Sequence, residues 1–279
     1  MTYTRTRQPI LVLGGTGKTG NRVVRRLEAR GHAVRIGSRS HEPRFDWDDA
    51  ATWDRAVQGI RAVYITYQPD LAVPGAVETV RSFAETALKA GVRRMVLLSG
   101  RGEEEAERAE QALQDTGAEW TIVRASWFAQ NFSESFLLDA LRTGEVALPA
   151  GPTKEPFIDA EDIADVVVEA LTDASHIGRL YEVTGARLLT FADAIGEISE
   201  ASGRAIRYRE IAAEDYAAQL AAHGVPNAYV SLVTYLFTTV LDGRNARRGD
   251  GVQRALGREP RDFATYARET ATTGVWNIG

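Results

Sequence analysis

Short apolar runs alternate with longer amphipathic stretches through the first half of the chain. Ile10–Leu13 is followed by a helix-compatible segment, Asn21–Arg30. Ala33–Ser38 and Ala62–Tyr67 read as further strands, and a helix from about Gly75 to Ala90 ends at Gly91. Arg94–Ser99 is the next strand, Glu103–Thr116 the next helix, closed by Gly117, and Trp120–Arg124 is a strand again. Short apolar runs bounded by turn residues are the pattern of strands buried on both faces, whereas a 3.6-residue period buries one stripe of a helix. Repeated strand–helix units predict an α/β fold with a doubly wound parallel sheet, because parallel neighbours must be joined by crossover helices.

After Arg124 the rhythm changes. Gly144 to Pro156 reads as a Gly/Pro-rich connection, and the rest is mostly helical: Glu161–Thr172, Phe191–Ser202, Ala213–Ala222, Asn227–Leu241 and Pro260–Thr273. Two short strands, Leu180–Thr184 and Ile206–Arg209, lie among these helices. The expected organisation is a sheet domain over residues 1–150 and a smaller, mostly helical region over residues 151–279. The second is interleaved with the first and covers the substrate side of the sheet. Val230–Leu241 is too short to span a bilayer and carries Ser231, Thr234, Thr238 and Thr239, so it reads as a buried helix.

The junction between the first strand and the first helix carries the most chemistry. It reads Gly14-Gly15-Thr16-Gly17-Lys18-Thr19-Gly20. Gly15, Gly17 and Gly20 fit G-x-G-x-x-G, and Gly14, Gly17 and Gly20 fit G-x-x-G-x-x-G equally well. In a strand–turn–helix context such glycines turn the chain, let backbone approach a pyrophosphate and let the helix pack on its strand. The helix N-terminus then presents N–H groups and a positive dipole end to the phosphates. Gly17-Lys18-Thr19 also resembles the end of a P-loop, but that motif needs glycine where Val12 stands. The loop therefore predicts a Rossmann-type dinucleotide site formed by Gly14, Gly15, Thr16, Gly17, Lys18, Thr19 and Gly20.

The second strand indicates which dinucleotide. An NAD site places an acid at its tip for the ribose hydroxyls, whereas an NADP site places an arginine near the 2′-phosphate. Here the strand ends Ile36-Gly37-Ser38-Arg39-Ser40, with no carboxylate. Arg39 can fork onto a phosphate, Ser38 or Ser40 can donate hydroxyl bonds, and Lys18 adds charge. Asp46 and Trp47 follow a third strand expected ahead of Phe45, where they would border the adenine. The cofactor expectation is NADP(H).

Bulk properties remove other classes. The chain has 279 residues, 44% of them hydrophobic and 25% charged, a globular composition. A formal net charge of −5 gives no electrostatic reason to expect nucleic acid, and no cysteine is present for a thiolate metal site or nucleophile. The first eight residues lack an apolar leader core, which together with the missing span predicts no membrane association and a cytoplasmic location. The sequence is compatible with a homodimer and does not fix the oligomeric state.

Lysine occurs only at Lys18, Lys89 and Lys154, and none stands four residues after a tyrosine. The Tyr-x-x-x-Lys pair that lets many Rossmann-type reductases protonate their substrate is therefore absent. Ser99, at a strand tip, stands where a substrate-orienting hydroxyl is expected, and Tyr67 and a bound water are the other candidate donors. The Glu103-Glu104-Glu105 run reads as a solvated helix start favoured by the dipole.

Several segments together resemble the NmrA-like family of atypical short-chain dehydrogenases: Leu13–Gly20, Ala90–Ser99, Thr121–Phe132 and Pro156–Ala164. Pro260–Ala264 and Thr273–Trp276 resemble bacterial relatives of the ergot-alkaloid iminium reductases, of festuclavine and agroclavine dehydrogenase type. The resemblance implies NADP(H) at the glycine loop and the Ser38/Arg39 tip. It places Thr66, Tyr67, Ser99, Trp127 and Phe128 around the nicotinamide end, with Phe132 beside the substrate. It implies reduction of a small apolar unsaturated metabolite: an iminium, enone, quinone or ketone. The same family includes NADP(H)-sensing regulators, and a non-redox cyclase or isomerase would fit the same scaffold.

Overall fold

The computed structural model describes residues 8–277; the expectation about the leader rests on residues mostly outside that range. In chain order the elements begin with β1 (Ile10–Leu13), α1 (Lys18–Ala29), β2 (Val34–Gly37), α2 (Trp53–Val57) and β3 (Ala62–Ile65). They continue with α3 (Ala76–Lys89), β4 (Arg94–Gly100), α4 (Glu104–Asp115), β5 (Glu119–Ala125), α5 (Leu138–Thr143) and β6 (Glu145–Leu148). Then come α6 (Ala160–Thr172), β7 (Arg179–Val183), α7 (Phe191–Ser202), β8 (Arg207–Glu210), α8 (Ala213–Ala222) and α9 (Asn227–Tyr235). The last two are α10 (Gly251–Leu256) and α11 (Phe263–Ala271).

Two compact units share these elements. The first comprises the chain up to Ala125, Ala160–Glu182 and Gly251–Gly257; the second comprises Ser126–Asp159, Val183–Asp250 and the chain from Arg258 onward. The first unit holds a sheet of order β2-β1-β3-β4-β5-β7. Its first five strands run parallel, with Ile10 opposite both Val34 and Ala62, and Arg94 opposite both Ala62 and Glu119. Leu11, Leu13, Val63, Ile65, Met95 and Leu97 alternate onto one face and are buried with α2, α3 and α4. On the other face α1 packs on α6, and α6 lies over β3, β4 and β5. Helices on both faces make the sheet doubly wound, as the strand–helix alternation predicts.

An ion-pair ladder joins α1 to α6. Arg22 and Arg26, one turn apart, meet Glu161 at 2.6 and 2.5 Å, and Arg26 also meets Asp165 at 2.5 Å. The i,i+4 spacing on both helices puts each pair of charges on one face. Although burial opposes ionisation of Glu161, its bonds to Arg26 and Arg22 hold its pKa below the ordinary value.

The structure departs from the sequence pattern in four places. The third strand expected ahead of Phe45 is missing between Ser38 and Phe45: Phe45 N–H bonds to Ser38 O at 2.9 Å, and turns lead into α2. Arg39–Arg44 is too polar for a buried strand and includes Pro43, which cannot donate to a ladder. The Gly/Pro-rich stretch after Gly144 contains β6, which pairs in parallel with β8 as a separate two-stranded sheet in the second unit. β7 is the sixth strand of the large sheet. The expected helix Asn227–Leu241 passes from α9 into a π-helical turn, Leu236–Val240.

The second unit is centred on Phe132, Phe157, Phe191, Phe237, Phe263 and Trp276, all of them buried. Helix α7 is held at its start by a capping box, with Thr190 accepting from Asp193 N–H and Asp193 accepting from Thr190 N–H. Exposed Gly196 sits within this helix, and a methyl group added there would meet nothing within 4 Å. Gly196→Ala is therefore expected to stabilise the protein by about 0.5–1 kcal/mol through the unfolded chain. A raised midpoint in urea checks this, and a lowered one would contradict it. Among the described residues no helix is long and apolar enough to cross a membrane.

Candidate functional site

The glycine loop leaves the carboxyl end of β1 and enters α1. Gly14 takes a φ of +61°, in the left-handed region that disfavours side chains. Its N–H bonds to Gly37 O at 2.9 Å, and its carbonyl receives Gly17 N–H at 2.8 Å, closing the turn. A methyl on Gly20 would lie 2.1 Å from Gly14 O, so the loop and the first turn of α1 are in direct backbone contact. The roles split as the spacing predicts: Gly14 makes the turn and Gly20 permits the close approach. Gly17 caps α1 without a side chain, and its first turn has no acidic residue. Helix geometry leaves the first-turn N–H groups without intrahelical acceptors, and the helix dipole makes that end electropositive. A cradle of bare backbone at a helix N-terminus fits a pyrophosphate.

Within the loop Thr16 is exposed, Gly15 is buried against Ile36 and Lys18 is half-buried. Thr19 departs from the sequence expectation. Its side chain is buried, and its hydroxyl accepts from Tyr64 at 3.0 Å, so only its backbone faces a ligand role.

At the tip of β2, Ser38 Oγ lies 2.7 Å from His41 Nδ1 and 3.2 Å from Ser40 Oγ, while Arg39 is exposed. Arg44, to which no sequence motif points, pairs with Asp46 at 2.6 Å. Burial works against ionisation of Asp46, but Asp48 N–H, Arg44 and the charge of Arg39 outweigh it and hold its pKa below the ordinary value. Asp46 is thus engaged by its own loop rather than presented to an adenine. Trp47 Nε1 donates to Thr66 O at 3.0 Å, and its ring packs 5.0 Å from Tyr67, so the indole ties the β2 loop to the end of β3. Thr66 is likewise committed: its hydroxyl donates to Leu13 O at 2.9 Å. Tyr67 is half-buried against the core.

Ser99 is locked in place. Its hydroxyl donates to Glu110 Oε1 at 2.6 Å, and Arg124 donates to the same carboxylate at 2.8 and 2.5 Å. β4 and β5 place Ser99 opposite Arg124, and α4 brings Glu110 between them. The bond to Glu110 raises the Arg124 pKa further and keeps the guanidinium charged. The reading of Ser99 as a substrate-orienting hydroxyl gives way to this, because its one proton is directed into a buried ion pair. Glu110→Ala would leave the largely buried Arg124 without its principal partner and is expected to cost about 3–5 kcal/mol. Denaturant unfolding measures this; a loss under about 1 kcal/mol would contradict the arrangement.

The glutamate run divides. Glu104 is exposed, as a solvated helix start predicts, but Glu103 is only 8% exposed. Its carboxyl lies against the Cα of Gly100, at the end of β4, where any side chain would collide with it. Glu103 hydrogen-bonds the side chain of Asp70, which follows β3 and also accepts from Ala72 N–H at 2.8 Å. Burial first, and then the charge and hydrogen bond of Asp70, push the Glu103 pKa well above its ordinary value; Glu105 and Glu110 add to this. Burial also raises Asp70. The sequence signal was present as acids after two adjacent strands, but a charge run alone does not tell which member turns inward.

In the second unit Trp127 and Phe128 are half-buried, with the Trp127 ring 5.3 Å from Phe191 and 5.0 Å from Phe237. Phe132 does not line a substrate surface. It is fully buried among Phe157, Phe191 and Phe263, and its carbonyl accepts from Trp276 Nε1 at 2.8 Å. Its place after a strand-to-helix junction put it in the core.

The doubly wound parallel sheet, with a glycine turn between β1 and the helix that follows, is a Rossmann-type architecture. The chain matches the NmrA-like family over residues 6–267 and belongs to it. It is 31% identical to agroclavine dehydrogenase of Claviceps fusiformis, over 96% of this chain and 98% of that protein. It is 30% identical to the NAD(P)H azoreductase of Xenophilus azovorans, over 94% of this chain and 98% of that protein. An NADPH-dependent quinone oxidoreductase of Escherichia coli, solved with NADPH, shares the fold with a TM-score of 0.75 at 21% identity, covering 93% of this chain and 99% of that one.

Proposed function

We propose that the protein is an NADPH-dependent reductase that passes hydride to a small, largely apolar, unsaturated acceptor: an iminium, enone, quinone or ketone. The observation that carries this reading is the bare-backbone cradle at the start of α1 beside a β2 tip that offers Arg39 and no acid. The relatives named as NAD(P)H-linked reductases and dehydrogenases support the same class.

In this reading the loop from Gly14 to Gly20 binds the pyrophosphate through backbone N–H groups and the helix dipole. Arg39 forks onto the 2′-phosphate with Ser38 beside it, and Lys18 adds positive charge. Thr66 and Trp47 act indirectly, by fixing the end of β3 against Leu13 O and the β2 loop. Bound NADPH supplies the hydride; the chain supplies position and electrostatics.

Fluorescence titration with each reduced cofactor tests the assignment. NADPH should bind at least roughly tenfold more tightly than NADH, since a forked phosphate contact contributes about 1.5–3 kcal/mol. Equal affinities would overturn it.

A further inference from the structure

The Asp70–Glu103 pair has no part in the reading above, and it sits where the fold places ligands. Asp70 follows β3 and Glu103 follows β4, adjacent parallel strands, so both acids lie at the carboxyl edge of the sheet. Among the described residues no N–H or O–H donor reaches Glu103 Oε2, which is buried. The side-chain hydrogen bond that Glu103 makes is to another acid. Two carboxyl groups hydrogen-bond each other only if a proton lies between them, because ionised carboxylates are acceptors alone. Two ionised carboxylates in contact in a buried site would also repel strongly.

We propose that Asp70 and Glu103 hold one shared proton and that Glu103 is the acid that delivers it to the substrate during reduction. The inference rests on the reductase reading. It supplies a proton source to a chain that has no Tyr-x-x-x-Lys pair and whose Ser99 proton is directed to Glu110. For a quinone or ketone, the acceptor gains hydride from reduced nicotinamide at one atom, and the displaced electron pair on oxygen takes the proton from Glu103. The pair is left fully ionised and recovers a proton from water before the next turnover. An iminium acceptor is already cationic, so hydride addition alone neutralises it and Glu103 is not required.

The elevated proton affinity of Glu103 agrees with this. Its carboxyl ordinarily titrates near 4.5 and is well above that in the folded protein. The sign follows from linkage: the folded state binds the proton more tightly, so the stabilisation is complete below the unfolded value and is lost as pH rises through the folded one. The acids facing Glu103 are Asp70, Glu105 and Glu110, all of which act in the same direction.

Two measurements on Glu103→Gln and Asp70→Asn test the proposal. The first is thermal unfolding without cofactor as pH is raised from the ordinary carboxyl value of 4.5 upward. Wild type should lose stability with rising pH more steeply than Glu103→Gln, which lacks that proton, while Asp70→Asn keeps a titrating Glu103 and should begin its loss at lower pH. Identical slopes would overturn the shared proton. The second compares NADPH oxidation with a quinone and with an iminium ion. Glu103→Gln should lower the quinone rate relative to the iminium rate by roughly 100-fold or more, in the range of general acid catalysis. Asp70→Asn should move the alkaline limb of the quinone rate to lower pH. An equal loss for both acceptors would make the pair structural only and overturn its role as acid. Wild type inert toward every acceptor would instead refute the reductase reading, and the catalytic role with it, while the unfolding slopes would still report the shared proton.

Discussion

Arg39→Glu lowers NADPH affinity by roughly 100-fold and leaves NADH affinity within about threefold, if Arg39 meets the 2′-phosphate. The substitution removes a planar cation that can make two charge-assisted bonds and puts a carboxylate in its place. The new acid then occupies the position at which NAD sites carry one, so the ribose hydroxyls of NADH gain a partner. Arg39 is exposed, and the fold does not depend on it, so the variant is expected to unfold at the wild-type temperature. Titration of the purified variant with both cofactors measures the effect. Parallel losses for NADPH and NADH would show that Arg39 acts on the site as a whole and would remove the basis for choosing NADP(H).

Gly20→Ala has the other large effect, and it falls on both stability and binding. The added methyl would stand 2.1 Å from Gly14 O and 2.9 Å from Gly15 Cα, both backbone atoms that cannot rotate away. The loop must lift from α1 or the helix must shift along its axis. Overpacking of this kind costs about 1–3 kcal/mol, and a clash with backbone belongs at the upper end. The same movement breaks the turn in which Gly17 N–H meets Gly14 O, so cofactor affinity falls even in the molecules that remain folded. Unfolding by urea and a cofactor titration are expected to show both losses. Retention of wild-type affinity would mean that the cradle is not where the cofactor binds.

The large sheet could be read from sequence because its central strands are short apolar runs and the helices between them end at glycines, as at Gly91 and Gly117, which both take positive φ. β6 could not, because Glu145–Leu148 is a short strand between a glycine turn and a Gly/Pro stretch, and its partner β8 is distant in sequence. The same limit applies to the site. The glycine loop is a local motif, so its conformation followed from spacing. Ser99, Glu110 and Arg124 are spread over β4, α4 and β5, and only packing shows that the Ser99 hydroxyl is directed into an ion pair. The side chains of Asp46 and Thr19 answer to Arg44 and Tyr64, partners that no spacing rule names. Glu103 looks like one of three solvated acids in the sequence, and only the fold closes Gly100 and Asp70 around it.

Whether the protein is a reductase at all is decided by NADPH oxidation against iminium ions, enones, quinones and ketones, with direct NADPH titration of the same purified preparation. Turnover with at least one of these classes is expected. Tight NADPH binding with no oxidation in any of the four would contradict the reductase reading and favour a cofactor-sensing or non-redox member of the family.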